Sequence, residues 1–356
     1  MLYLDHAATS PLLPEVKKAM ADAMEEFFGN AAAIHTPGHL AHKYVENART
    51  TVAKLINAKP SEIIFTSGAT EGNNAVMHTF AGKNIAVSPF EHPSVIKPAQ
   101  KYAKKVTEKD AKLFSTQLAN QEIGTIFPVA ELAKQAHNNG AYFHTDVTQA
   151  ISKIPIDVKK LDVDYLTFSA HKFGGPTGAG VLYVKDGAPF EPLMLGGHQE
   201  NGRRAGTHNT IGIIGLATAA EYVIKNGTLA IYEKKIRPLR DLLEKRILTE
   251  IQGSEVNKQN GHVLLPNILN VSFKGAEGES IQLMLDHEGV IVSTGSACAS
   301  ADGQPSPVLM ALHGDAEIAH SSIRFSLGLD TTKKDIDRVM SVLPSIIKKL
   351  QGISTV

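Results

Sequence analysis

Short apolar runs alternate with amphipathic segments along the first half of the chain. Glu62-Ile63-Ile64-Phe65-Thr66, Asn84 to Ser88, Lys112 to Thr116, Ala141 to Asp146, Tyr165 to Ser169 and Gly178 to Val184 have the length and composition of buried strands. Between them, Glu71 to Phe80, the segment after Glu91-His92-Pro93, and Val129 to Asn138 before Gly140 are spaced as helices. Strand and helix in repeated alternation predict an α/β unit with a mainly parallel sheet covered by helices on both faces. In such a sheet ligands belong at the carboxyl ends of the strands.

Before this repeat, Val16, Met20, Ala23, Met24 and Phe27 share one face and predict a helix over 11–28, stopped at Gly29. A loop over 29–38 and a helix over 39–55 follow. After the repeat, 232–251 is charged and helical, a connector by pattern. Ile268 to Phe273, Val290 to Thr294 and Ser321 to Ser326 then read as strands around a helix. The last helix starts with Thr332 and Asp335 in capping-box spacing and has Ile336, Val339, Met340, Leu343, Ile346, Ile347 and Leu350 on one face. Two domains are expected: a large one over 15–250, and a small α+β one from 1–14 and 251–356.

Lys plus Arg and Asp plus Glu both number 36, so no global field argues for nucleic acid or an anionic membrane. The apolar stretch from Thr210 to Ile224 is broken by Gly212, Gly215, Thr218 and Glu221, too polar for a span. The first residues have no basic region and no apolar core, so a cytoplasmic protein without a secretory signal is expected. One cysteine, Cys298, excludes an internal disulfide or a cysteine-cluster metal site. The 15 histidines show no metal-ligand helix spacing, and no metal is expected.

The candidate chemistry lies at the predicted strand ends. Lys172 follows a strand and precedes Gly174-Gly175; an amine wedged there can be held neutral and form an imine with a carbonyl compound, although a solvated loop lysine fits the same letters. Ser67-Gly68-Ala69-Thr70 joins a strand to a helix start and suits a phosphate, or else Ser67 or Thr70 is an ordinary N-cap. Asp146 places a carboxylate on a neighbouring strand end. Together these are what pyridoxal 5'-phosphate requires: an amine for its aldehyde, a carboxylate for its pyridine nitrogen and a seat for its phosphate. The glycine-rich loop over 196–207 carries Arg203 and Arg204, which suit an anion or a subunit contact. Cys298 sits among small residues, Ser293 to Gly303, a setting for a mobile nucleophile more than for a packed thiol.

The order and spacing of these motifs resemble the NifS/IscS-type cysteine desulfurases, class V aminotransferase-like enzymes of pyridoxal phosphate fold type I. The likeness is carried by Tyr3 to Thr9, Phe65 to Glu71, Glu91-His92, His144-Thr145-Asp146 with Gln149, Ser169 to Lys172, Arg204 to Thr207, Ser296-Ala297-Cys298 and Ser321 to Ser326, over nearly the whole chain. It implies a seven-stranded sheet sandwiched by helices, with the cysteine loop on the smaller domain. It implies that Lys172, Cys298 and His92 are catalytic. Ala69, Thr70, Ser169 and His171 would hold the cofactor phosphate, and Thr207 would reach the phosphate of the other subunit of a homodimer. Asp146 would pair with the pyridine nitrogen, Gln149 with the phenolic oxygen, and His92 would stack on the ring. Asn120 would lie at the cofactor and, with Arg324, hold the substrate carboxylate.

The activity implied is removal of sulfur from L-cysteine, giving L-alanine and a persulfide on Cys298 for a sulfur-acceptor protein of iron–sulfur assembly or of tRNA or cofactor thiolation. Selenocysteine lyase, plain aminotransferase and a cofactor-binding scaffold are the alternatives; Cys298 argues against the second, the intact catalytic set against the third. The chain departs from the family pattern at Asn30 to His35, at His39, at Asn120-Gln121-Glu122 and at Thr177.

Overall fold

The computed structural model describes residues 1–26, 28–294 and 305–353. Phe27, placed on the first predicted helical face, and Cys298 lie outside the described residues. Two compact units form: one from Pro11–Leu118 and Phe127–Thr228, the other from Met1–Ser10, Ala119–Ile126 and Leu229–Val356.

The larger unit holds strands β2 (Ile63–Thr66), β3 (Asn84–Val87), β4 (Lys105–Val106), β5 (Leu113–Ser115), β6 (Tyr142–Asp146), β7 (Tyr165–Ser169) and β8 (Gly180–Val184). They form one seven-stranded sheet in the order β2-β8-β7-β6-β5-β3-β4. All neighbours are parallel except β8, which runs antiparallel to both β2 and β7. Helices α1 (Pro14–Glu26), α2 (Thr36–Leu55), α3 (Ala69–Thr79), α4 (Pro93–Tyr102), α5 (Val129–Asn138) and α6 (Thr210–Lys225) belong to the same unit. The strands read as continuous apolar runs because both faces are buried: Ile64, Leu113, Tyr165 and Leu182 join Val76, Met77 and Val95 in one core cluster.

Two boundaries differ from the sequence pattern for local reasons. The helix predicted from residue 39 begins at Thr36, because the His35 ring accepts the Gly38 amide at 3.2 Å and Pro37 occupies the first turn. The helix predicted from Glu71 begins at Ala69 with Gly68 at its N-cap, so neither Ser67 nor Thr70 caps it.

In the smaller unit β9 (Ser254–Val256), β10 (Ile268–Phe273) and β12 (Ser322–Ser326) form an antiparallel sheet in the order β12-β10-β9. The N-terminal β1 (Leu2–Tyr3) pairs in parallel with β11 (Val290–Ile291). Leu4, Phe273, Ile281, Leu285, Phe325, Ile336, Leu343 and Ile347 are buried together. The contact boundary falls at 228/229 and not at 250/251, since Leu243 and Ile247 of α7 (Arg237–Glu250) lie in this same cluster. Residues 119–126 also belong here: Leu265 N–H donates to Gly124 O at 2.7 Å, and Asn270 Nδ2 donates to Glu122 O at 3.2 Å. The final helix opens as its spacing predicts, with Thr332 N–H and Oγ1 donating to Asp335 Oδ2 at 2.8 and 2.7 Å. Among the described residues no helix is long and apolar enough to cross a membrane.

Candidate active site

The parallel pair β6 and β7 delivers Asp146 and the Lys172 turn to adjacent carboxyl ends, in a register that sets Asp146 beside Thr167. After Ser169 the chain makes a single 3-10 turn over Ala170–Lys172. Phe173 and Gly175 amides both return to Ala170 O, at 3.1 and 3.0 Å. Gly174 makes that return possible: its φ is +84°, and a Cβ there would lie 2.5 Å from Leu13 Cγ. The paired glycines therefore serve to fold the chain back directly behind Lys172.

Asp146 is nearly buried, at 7 % exposure, and both its oxygens are used. Oδ2 accepts from Asn73 Nδ2 at 2.8 Å and Oδ1 from the Thr148 amide at 2.8 Å. Asn73 is the hub of a polar chain beneath the strand ends. Its Nδ2 also donates to Ser94 Oγ at 2.9 Å, and its Oδ1 accepts from Thr167 Oγ1 at 2.5 Å. Ser94 in turn meets His92 Nδ1 at 2.7 Å, at the start of α4. On the other side, His144 joins Ser115 Oγ at 2.8 Å and Thr167 Oγ1 at 3.3 Å.

This enclosure decides protonation. Burial, aided by the Asp146 charge, pushes the Glu91 carboxyl up to about 8, and its Oε2 has no hydrogen-bond partner. Burial pulls His144 down to about 4, and lowers His92 as well, against the attraction of Asp146. His171 is held at about 4 by burial and then by the charges of Lys172 and Lys153. At neutral pH Asp146 thus stands among neutral imidazoles and a protonated Glu91.

The start of α3 lies against the end of β7: the Ala69 amide donates to Ser169 Oγ at 2.7 Å. No side chain caps this helix, and the Ser67 amide is turned to Glu71 Oε2 at 2.8 Å. The approach requires glycine on the neighbouring strand, because a Cβ on Gly180 would sit 2.5 Å from Gly68 Cα. Ala69 and Ser169 are buried, Thr70 is exposed, and Gln149 is buried on the turn after β6. Thr207 is exposed; with Ser67, Arg204 and His208 it lines a cavity of about 120 Å³. Its loop is held by Glu200, which accepts from Arg49 at 2.6 and 2.8 Å and from the Phe65 amide at 3.0 Å, and contacts the His208 ring at 2.7 Å.

In the other unit, Asn120 Oδ1 accepts the Glu122 and Ile123 amides at 2.8 and 2.9 Å, which shapes the turn that follows it. Arg324, on β12, donates to Asp5 Oδ1 at 2.6 Å and to Gln121 O at 3.0 Å. Backbone bonds in both directions join Arg324 to Ser293, and Ser306 Oγ donates to Glu122. The chain on either side of 295–304 is therefore tied to the Arg324 and Glu122 neighbourhood of this unit. Asp5 and Glu91 fall inside motifs read above but without the roles they take here, and Asn73, Lys153 and Glu200 carry no motif of their own; nothing in their local sequence signals these contacts.

A family model described as aminotransferase class-V matches residues 2–109 and 103–339. The cysteine desulfurase IscS of Dictyoglomus turgidum is 44% identical over 381 residues, spanning 99% of this chain and 96% of its own. A NifS-like protein of known structure superposes with a TM-score of 0.86 at 32% identity, covering 99% of each chain. SspA, solved in complex with cysteine, superposes at 0.79 with 27% identity, covering 92% of this chain and 99% of that one.

Proposed function

The chain belongs to the class-V aminotransferase family, among its NifS/IscS-type cysteine desulfurases, and from that membership we propose how its own residues divide the work. The residues fit pyridoxal 5'-phosphate: an uncapped helix start faces Ser169, a buried carboxylate is fixed by Asn73 and Thr148, and a lysine turn stands on the adjacent strand. That juxtaposition of Asp146, the Lys172 turn and the α3 start is the observation that carries the reading. The cofactor, when bound, supplies an aldehyde for amine capture and an electron sink at the substrate Cα.

Lys172 would be the amine that holds the cofactor, and it then carries a proton at the substrate Cα. Asp146, fixed by Asn73 and the Thr148 amide, would pair with the ring nitrogen of the cofactor. Ala69, Thr70, Ser169 and His171 would seat the cofactor phosphate, with Thr207 serving the partner subunit of a homodimer. Gln149 would donate to the phenolic oxygen of the cofactor, and His92, whose burial lowers its pKa, would pack on the ring. Asn120 and Arg324 take the carboxylate of L-cysteine, the guanidinium of Arg324 offering a planar fork already steadied by Asp5. The Cys298 thiolate attacks the substrate sulfur; an S–S bond forms as the Cβ–S bond breaks, and protonation of the carbon releases L-alanine. The Cys298 persulfide then passes to an acceptor protein.

Two substitutions test this. Lys172→Ala is expected to abolish the visible absorption of the purified protein; a variant that retains it would falsify the lysine assignment. Cys298→Ala is expected to keep cofactor and bind L-cysteine while forming no persulfide and no sulfide, and parental sulfide release from it would remove Cys298 from the reaction. Turnover of selenocysteine by Cys298→Ala at the parental rate would point instead to a lyase.

A further inference from the structure

The contacts of His92 Nδ1 decide which protons this ring can carry. His92 stands at the N-cap of α4, partly buried, with Pro93 in the first turn. Its Nδ1 meets the Ser94 amide at 3.1 Å and Ser94 Oγ at 2.7 Å. A backbone N–H can only donate, so Nδ1 is an acceptor and carries no hydrogen. The hydroxyl adds to this: Ser94 Oγ accepts from Asn73 Nδ2 at 2.9 Å, and its own hydrogen is directed to Nδ1.

The sense of that chain is fixed from its far end. Asp146 Oδ2 accepts from Asn73 Nδ2 at 2.8 Å, which turns the amide oxygen toward Thr167 Oγ1. Thr167 gives its one hydrogen to that oxygen and therefore accepts from His144 Nε2 at 3.3 Å. Turning Asn73 over would set its oxygen against a carboxylate. Charge does not reverse the order either, because an imidazolium at a helix N-terminus meets the positive end of the helix dipole. Burial is the largest influence on the ring and lowers its pKa; Asp146 works against this and Lys172 with it.

We propose that His92 serves the reaction as a fixed hydrogen-bond donor: the start of α4 holds Nδ1 as an acceptor, the one ring hydrogen stays on Nε2, and neither nitrogen takes a proton from the substrate. Ser94 and Asn73 are its positioning residues. A neutral imidazole at a helix N-terminus can polarise an acceptor without exchanging charge. Lys172 is left to carry the proton at Cα. The role in the reaction rests on the reading of His92 as the ring packed on the cofactor.

The test is nitrogen NMR of cofactor-loaded protein labelled in its histidine rings, with His92 assigned from the signals lost in His92→Gln. A bare Nδ1 and a protonated Nε2 are expected, unchanged between about pH 6 and pH 9 and unchanged when L-cysteine is added to Cys298→Ala. A hydrogen on Nδ1, or a doubly protonated ring in that range, overturns the proposal. His92→Gln keeps an amide donor and has no group that takes up a proton. At matched cofactor content its kcat is expected within about tenfold of the parent, whereas a fall of about a thousandfold would overturn the donor role, since general acid–base transfer contributes about 10²–10⁴-fold. If His92→Gln does not hold cofactor, His92→Asn supplies the assignment and the ring's hydrogen positions alone decide. Loaded and cofactor-depleted samples separate the two failures: His92 signals that do not differ between them would refute its place on the cofactor and not its hydrogen positions.

Discussion

Two buried charge clusters in the larger unit obey opposite rules. Around Glu200 the carboxylate meets complementary partners: a bidentate Arg49, the His208 ring and the Phe65 amide, which hold the carboxyl down at about 2 despite burial. Around the ends of β6 and β7 like charges are crowded together, Glu91 near Asp146 and Lys153 near Lys172, and Glu91 and Lys153 give up charge in the neutral range. The first arrangement fixes a backbone, including left-handed Glu200 and Asn201, which puts the Thr207 loop in place. The second leaves groups titrating near neutrality, the kind of perturbation that clusters at functional sites. Burial is common to both; sign complementarity separates scaffold from chemistry.

The largest effect should come from breaking the complementary cluster. Glu200→Ala takes the bidentate partner from buried Arg49 and leaves it only the half-exposed Glu46, and a loss of about 3–5 kcal/mol is expected by denaturant unfolding. A loss below about 1 kcal/mol would show that the cluster is not scaffold. Glu200 also dictates an acid limb. Its folded value lies below the ordinary carboxylate one of 4.5, so its contribution is present above that value and is lost as pH falls from about 4.5 toward about 2. Unfolding followed over that window should be flatter in Glu200→Gln.

The like-charge cluster should respond with the reverse sign. Glu91 has a raised value, so the unfolded chain ionises first and stability falls as pH rises between about 4.5 and about 8. Glu91→Gln is expected to remove that decline and add about 1–3 kcal/mol at neutral pH by the same denaturation assay. A loss of stability would mean that the carboxyl is needed as a charge. Asn73→Ala removes donors to both Asp146 and Ser94, and a cost of about 1–3 kcal/mol with weaker cofactor retention is expected. Unchanged cofactor retention on dialysis would detach Asn73 from the site.

The smallest effect is backbone alone. Ser152, buried with φ 69°, carries strain that glycine lacks, and Ser152→Gly should raise stability by about 1 kcal/mol while leaving the visible absorption of loaded protein where it was. A changed absorption would show that the strain reaches the Lys172 turn through Lys153.

Much of the fold was legible because it is local. The apolar runs at Ile63, Tyr142 and Tyr165 are strands because both sheet faces bury them, and the β7 bounds coincide with its run. Asp146, His92 and Lys172 stood out because each ends or follows such a run. Less visible were short pairings such as β4 and β9, where two or three residues carry no period. The Gly68 cap was also hidden, because its cause is the approach of Gly180 from another strand.

By itself the sequence determined which chemical groups stand at the strand ends, since period and punctuation act over a few residues. Only the tertiary structure decided the company those groups keep. Arg49 and Glu200 are 151 residues apart, and Lys153 meets the backbone of Lys172 across two strands. A side chain's charge state depends on burial and on neighbours from distant segments, and no local pattern encodes either.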